Sequence, residues 1–355
     1  MQHPSPLPRY DRLQTYQWNY EHAPEPVELE IPEVPGDWTF CGLPVPSPLG
    51  IPAGPLLNGK WVLYYASLGF DVLTYKTVRS SARACYPLPN LQPVQAASLT
   101  GQEPQVTLTE QMQGSWAVSF GMPSAAPEVW RDDITRTRQQ LPADKILSVS
   151  VVGSLQPGWS LDDLADDYAL CARWALESGA DCIETNFSCP NVCTRDGQLY
   201  QQADAAALVA SRVRDAIGTT PYLIKIGHLT QESAATTFLE AVSPYATGIV
   251  MTNSVATTVT DAAGAPLFNG EQRGICGAAT RDASLHQLEC FARLITELPP
   301  GTSPPALISC GGISSARDVK QFLSAGAQAT HLATAAMCDP LIACQIRAEL
   351  AQEPV

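Results

Sequence analysis

The segment Asn186-Phe187-Ser188-Cys189-Pro190-Asn191 carries the densest chemistry in the chain. Two amides flank one thiol within six residues, and each amide offers a donor and an acceptor to a flat, amide-bearing ring. Cys189 can serve as base or nucleophile once its pKa is lowered or it is shielded from solvent. Pro190 interrupts helix continuation, so the segment reads as a loop. A buried structural thiol beside turn-forming asparagines fits the same letters, and spacing alone leaves both open.

Two lysines close apolar runs: Lys76 in Thr74-Tyr75-Lys76-Thr77 and Lys225 in Leu223-Ile224-Lys225-Ile226. A lysine so placed reaches solvent poorly and wants an anion. A reduced cofactor ring, a substrate carboxylate or a strand-end carboxylate would each serve. Further on, Ser309-Cys310-Gly311-Gly312-Ile313-Ser314 and Ala333-Thr334-Ala335 supply the glycines and backbone N–H groups that hold phosphate. A Gly-Gly pair is also an ordinary turn. The five His lack metal-ligand spacing, and Cys182, Cys189 and Cys193 form no CxxC pair, so zinc and iron–sulfur sites are not expected. Asp162-Asp163 and Asp166-Asp167 fall in the first turns of a helix and read as a solvated face.

These groups need strands to position them. Short apolar runs at Ile51–Ala53, Val72–Lys76, Ile146–Val151, Asp181–Thr185, Tyr222–Ile226, Gly248–Thr252, Ala306–Ser309 and Thr330–Ala333 alternate with helix-compatible stretches. The latter include Gly59–Leu68, Leu161–Ser178, Ala203–Ile217, Gln231–Val242, Ala283–Glu297 and Ala316–Ala325. Eight strand–helix repeats predict an α/β fold, a (β/α)8 TIM barrel, ahead of a doubly wound open sheet. Gly179 and Gly326 stand where a helix should end before the next strand. The polar residues gather after the strands, on the rim where barrels place their active sites. The Pro-rich residues 1–47 read as an extension of loop and short edge strand at best, and 48–355 as the barrel. The segment 83–122 reads as an insertion after the second strand, covering the rim as a lid or small subdomain.

Composition narrows the function classes. Of 355 residues 45% are hydrophobic and 16% charged, which suits a large core or an oligomer interface. The 35 acidic against 21 basic residues give a net charge of −14, which disfavours a nucleic-acid surface. No apolar run reaches the roughly 18–20 residues of a membrane helix, and no signal peptide is evident, so neither nucleic acid nor membrane is expected as a partner. Eleven Cys without a small-domain rhythm read as reduced thiols, and the compartment is expected to be cytoplasmic.

Taken in register, these pieces resemble the dihydroorotate dehydrogenase family of FMN-dependent barrels, from about Leu49 to the C-terminus. The resemblance runs through Ile51-Pro52-Ala53-Gly54-Pro55 with Asn58-Gly59-Lys60, then Leu68-Gly69-Phe70, Thr74 to Thr77 and the Asn186–Asn191 loop. Lys225, Thr252-Asn253-Ser254, Gly274, Gly311-Gly312 and Thr334 follow in the family's order. The resemblance implies FMN as cofactor, its phosphate at Gly311, Gly312 and Thr334. Lys76 and Lys225 would stand near the flavin ring with Ala53, Gly54 and Thr77 beside it, and Gly274 belongs to the same cofactor set. Positive charge there stabilises the anionic reduced ring, which puts Lys76 among the catalytic residues.

It further implies oxidation of dihydroorotate to orotate, Cys189 removing a proton as in the soluble class while hydride passes to flavin N5. Asn186, Asn191 and Asn253, assisted by Ser254, would hold the pyrimidine edge. One departure stands out: Val118 occupies the place of a substrate-binding Asn. It motivates an alternative substrate, another dihydropyrimidine or related cyclic amide. A flavin-binding protein without turnover is the alternative from a different class. A homodimer is the expected assembly, and the electron acceptor has no signature in the chain.

Overall fold

The computed structural model describes residues 7–188 and 199–352. Eight parallel strands close into a barrel: β1 (Leu49–Ile51), β2 (Val72–Val78), β3 (Ile146–Val151), β4 (Cys182–Asn186), β5 (Tyr222–Lys225), β6 (Gly248–Met251), β7 (Ala306–Cys310) and β8 (Ala329–His331). Each pairs with the next, and β8 returns to β1 through Thr330↔Leu49 and His331↔Gly50. The (β/α)8 expectation holds.

The two-residue period of each strand sorts its side chains between two cores. Leu73, Tyr75, Leu147, Val149, Ile183, Ile224 and Ile249 face outward into the main core under the helices. Val72, Ile146, Cys182, Leu223, Val250, Ile308 and Ala329 face inward instead. A hairpin of Trp38–Phe40 and Leu43–Val45 plugs the N-terminal mouth, its Phe40 fully buried among those inward residues. Gly179 (φ 104°) and Gly326 (φ 107°) end the helices Leu161–Glu177 and Ala316–Ser324 in the left-handed region that only glycine adopts at little cost.

Three findings differ from the sequence expectation. The N-terminal stretch holds a helix, Tyr16–Glu21, because the Thr15 side chain caps it by accepting from the Trp18 N–H. Tyr10 and Tyr16, from the same stretch, meet Phe120 edge-on at 6.0 and 6.1 Å. The acidic face of Leu161–Glu177 is only partly solvated. Asp162 and Asp166 pair with Arg212, but Asp167 is buried and accepts from the Ser154 N–H at 2.6 Å.

The third difference concerns the rim. The segment after β2 forms strands Leu91–Gln95, Gln105–Leu108 and Ser115–Val118, which join Val255–Thr260 and Arg273–Gly277 in a second, five-stranded closed barrel. The last two strands follow β6, so two excursions of the chain, far apart in sequence, build one roof. Its own core contains Val94, Leu99, Val106, Ala117, Val255, Val259 and Ile275.

A charged cluster ties the bottom of the molecule together. Arg347, on the C-terminal helix Ile342–Gln352, donates to Asp71 at 2.7 Å, to Ser47 at 2.9 Å and to the Pro32 carbonyl at 2.6 Å. Asp71 also pairs with Lys145 at 2.7 Å and accepts from Ser47. Both Asp71 and Arg347 are buried.

Candidate active site at the rim of the barrel

A cavity of about 470 Å³ lies between the barrel rim and the roof. The rim contributes Pro52 to Pro55 after β1, Lys76 and Thr77 from β2, Asn186 and Ser188 from β4 and its following loop, Lys225 from β5, Cys310 from β7, and Ala333-Thr334 after β8. The roof contributes Tyr86, Trp116, Val118 to Met122, Ala256, Glu271 to Gly274 and Cys276. Beside it lies a more open hollow of about 320 Å³, lined by Pro87, Leu88, Pro89, Leu267, Phe268 and Asn269 together with Tyr86, Ser119 and Arg273. That hollow holds none of the strand-end lysines or asparagines, so the chemistry belongs to the inner cavity.

Ten residues singled out from the sequence line this one space: Ala53, Gly54, Lys76, Thr77, Asn186, Lys225, Asn253, Ser254, Gly274 and Thr334. Cys189 and Asn191 lie outside the described residues. Gly311 and Gly312 do not line the cavity, although Cys310 before them does. They turn at φ 116° and 77°, and a Cβ on Gly312 would fall 2.5 Å from the Arg281 Cα. The Gly-Gly pair therefore serves a close backbone approach to the start of helix Arg281–Ile295.

Local bonding decides what each side chain offers. The Asn186 Oδ1 accepts from the Ser188 N–H at 3.0 Å and from the Ser188 hydroxyl at 2.7 Å. A backbone N–H needs an acceptor, so the amide orientation is set and its NH2 is left for the cavity. Thr77 is fixed by a 3.0 Å hydrogen bond to the Ser150 hydroxyl. Gly274 is required by crowding: a Cβ there would lie 2.5 Å from the Ser254 Oγ. At Gly54 the reverse holds, since a Cβ would meet nothing within 4 Å and would project into open space.

The interior beneath is polar. Lys225 is 4% exposed and receives no hydrogen bond partner from a described residue. Glu184, one turn of the pleat below Asn186, is fully buried, and burial pushes its carboxyl up while Lys225 and the Ser150 hydroxyl pull it back. His331 stacks on Phe40 and has neither ring nitrogen hydrogen-bonded. Burial, reinforced by the Lys225 charge, holds its pKa down to about 3.

The His331 shift has a measurable consequence. Its imidazole stays neutral in the fold but titrates near 6.5 when unfolded, so its share of stability is full above about pH 6.5. As pH falls from there towards 3, the unfolded chain gains a proton that the folded chain refuses. The expected loss is about 1.4 kcal/mol per pH unit. Urea unfolding of the wild type and His331→Gln at pH 7, 6 and 5 should show the gap between them narrowing with acidity. Parallel pH dependences would refute the neutral buried imidazole.

The comparisons with known proteins bear on this arrangement directly. Residues 37–353 match the sequence model of the family described as Dihydroorotate dehydrogenase. The chain belongs to the dihydroorotate dehydrogenase family. It is similar to a dihydroorotate dehydrogenase of Dictyostelium discoideum, 31% identical over 97% of both chains. It is also similar to a dihydroorotate dehydrogenase (quinone) of Leifsonia xyli subsp. xyli, 28% identical over 81% of this chain and 76% of that one. Among solved structures, DHODH from Eimeria tenella in complex with ferulenol superposes with a TM-score of 0.74 at 17% identity, covering 94% of this chain and 88% of that chain, which supports the fold. Dihydroorotate dehydrogenases are flavin-dependent oxidoreductases acting on a CH–CH bond, so the chain is an enzyme of that class.

The cavity suits a flavin. Gly54 leaves open space in its wall, the Asn186 NH2 and the Lys225 ammonium are unsatisfied by described residues, and the rim cations outnumber the acids. Among the described residues no group of three or more His, Cys, Asp and Glu could hold a metal, and no helix is long and apolar enough to cross a membrane.

Sequence reasoning missed the roof residues that dihydroorotate dehydrogenase chemistry would meet here: Trp116, Phe120, Glu271, Arg273 and Cys276. The alternating Val255-Ala256-Thr257-Thr258-Val259 offered a strand signal. Nothing local marks Arg273 or Glu271, because their placement depends on pairing Gly274 with Val118.

Proposed function

We propose that the chain is an FMN-dependent dihydroorotate dehydrogenase that oxidises dihydroorotate to orotate. The observation that carries this reading is the convergence of two buried lysines, Lys76 and Lys225, with Asn186, Asn253 and Ser254 in one cavity under an enclosing roof. FMN would be held by Ala53, Gly54, Lys76, Thr77, Lys225, Gly274 and Thr334, with the Gly311-Gly312 turn the candidate for its phosphate, and would supply the hydride acceptor.

The chain's own residues do the rest. Cys189 removes the acidic proton next to the substrate carbonyl. The Asn186 NH2 donates to a ring carbonyl, and Asn253, with Asn191 and Ser254, completes the edge. A ring without matching polar groups would leave the buried Asn186 amide unpaired at about 1–3 kcal/mol, which selects a planar imide. Lys76 and Lys225 place positive charge where negative charge accumulates, inside a space the roof keeps dry. The reading includes a cytoplasmic homodimer, for which the low charged fraction is the support.

Val118 in the cavity wall favours a second substrate reading, another dihydropyrimidine or related cyclic amide. Visible spectra separate the two. The purified protein is expected to be yellow and to bleach on anaerobic addition of dihydroorotate. A colourless protein that takes up no FMN would overturn both, and bleaching by dihydrouracil but not dihydroorotate would move the assignment to the second.

A further inference from the structure

The described residues lining the inner cavity include three cations and one acid. Lys76 and Lys225 rise from the barrel, whereas Arg273 and Glu271 belong to the roof. Arg273 also lines the outer hollow, together with Tyr86 and Ser119, and so stands in the wall between the two spaces. We propose that Arg273 is the specificity-determining residue that recognises the carboxylate of an anionic substrate entering through the outer hollow. The inference rests on the substrate class proposed above and adds the group that reads its charge.

The guanidinium is already oriented for that task. Its Nε donates to the Ser119 Oγ at 3.1 Å, its Nη1 to the Gln272 carbonyl at 2.9 Å, and its carbon lies 4.8 Å from the Phe268 ring centre. Ser119 is itself anchored, its N–H donating to the Asn90 carbonyl at 2.8 Å and its carbonyl accepting from the Asn90 amide at 2.9 Å. Phe268 takes the face of the guanidinium, and each Nη keeps a second N–H beyond these bonds for a planar acid, the geometry in which Arg outperforms Lys.

The remaining partner is replaceable. Nη2 pairs with Glu271 at 3.0 Å, but the Glu271 side chain is 69% exposed against 17% for Arg273. Water competes for such a carboxylate, so this pair holds weakly and a ligand acid in the drier cavity displaces it. On the adjoining wall Val118 offers no polar side-chain group. Arg273 and Ser119 therefore supply the polarity of that side.

The test uses the FMN-loaded enzyme and follows the flavin absorption during titration with orotate, which carries the carboxylate, and with uracil, which lacks it. Arg273→Gln is expected to weaken orotate binding about tenfold or more, with uracil binding and flavin content unchanged. Arg273→Lys should fall between, and Glu271→Gln should tighten orotate alone. Orotate binding within twofold of wild type in Arg273→Gln, or equal losses for orotate and uracil, would overturn the role of Arg273. Should Arg273→Gln not fold, Glu271→Gln decides, since unchanged orotate affinity there would also overturn it. A wild-type holoenzyme that ignores orotate sinks the substrate reading and this inference together, whereas a response shared equally by wild type and Arg273→Gln sinks only the inference.

Discussion

Anaerobic reduction of the FMN-loaded Cys189→Ala variant by dihydroorotate should be slower than wild type by roughly 10²–10⁴-fold at neutral pH, the range a positioned general base contributes. The expectation follows from the chemistry of the substrate, where loss of hydride from one carbon leaves a proton on its neighbour that needs an acceptor. Of the described residues lining the cavity, Cys276 and Cys310 are thiols whose pKa burial raises, which makes them poor proton acceptors. The lysines are needed as cations, the amides do not titrate, and the Glu271 side chain is 69% exposed to water. Cys189→Ser should retain activity mainly at high pH, because a hydroxyl is a far weaker acid than a thiol. Stopped-flow bleaching of the flavin across pH 6–10 reads both effects. Wild-type rates in Cys189→Ala at pH 7 would remove Cys189 from the mechanism, while the flavin content of the variant reports whether the fold was kept.

Asp71→Ala should lower the unfolding free energy by about 3–5 kcal/mol, the usual cost of breaking a buried ion pair from one side. Asp71 holds Arg347 and Lys145 at 2.7 Å each, and its side chain is 1% exposed. Without it the Arg347 guanidinium, 5% exposed, stays buried against Ser47 and backbone carbonyls with no compensating charge. Arg347→Met alone leaves Asp71 paired with Lys145 and should cost less. The double variant should lose less than the sum of the two, since it no longer buries an unpaired Arg347 guanidinium. Urea titration followed by tryptophan fluorescence measures all three. A loss below about 1 kcal/mol for Asp71→Ala would show that the cluster is solvated in solution. The rim chemistry should survive in the folded fraction, because Asp71 precedes β2 at the end opposite Lys76.

Much of the barrel was readable from local pattern, and the roof was not. Ile146–Val151 and Ala203–Ile217 were delimited by their letters, the first an apolar run with β-branched residues, the second an alanine-rich helix ended by Gly218. Lys76 and Lys225 were legible as site residues because a charge at the end of such a run has few other uses. The roof strands are four to six residues long, carry Pro93 and several Gln, and the two ladders that join the excursions pair across more than 150 residues of sequence, as Trp116 does with Cys276. Pairing at that distance leaves no periodic trace. The helix Pro127–Gln140 was legible and overlooked: Trp130, Ile134 and Thr137 form its one buried stripe within an otherwise polar stretch. Asp167 was misjudged because an acid near the start of a helix looks the same whether it meets water or the Ser154 N–H.

The roof's construction separates two kinds of inheritance. Its strands come from detours after β2 and after β6, each anchored at both ends to the barrel, and they meet through ladders such as Val118↔Gly274 and a shared apolar core. Drift in one detour is therefore constrained by the other as well as by the rim below. Which molecule is admitted can diverge between relatives while the redox floor stays fixed, provided both detours change together. A chimera that exchanges only one of them inherits a mismatched seam in place of a new preference.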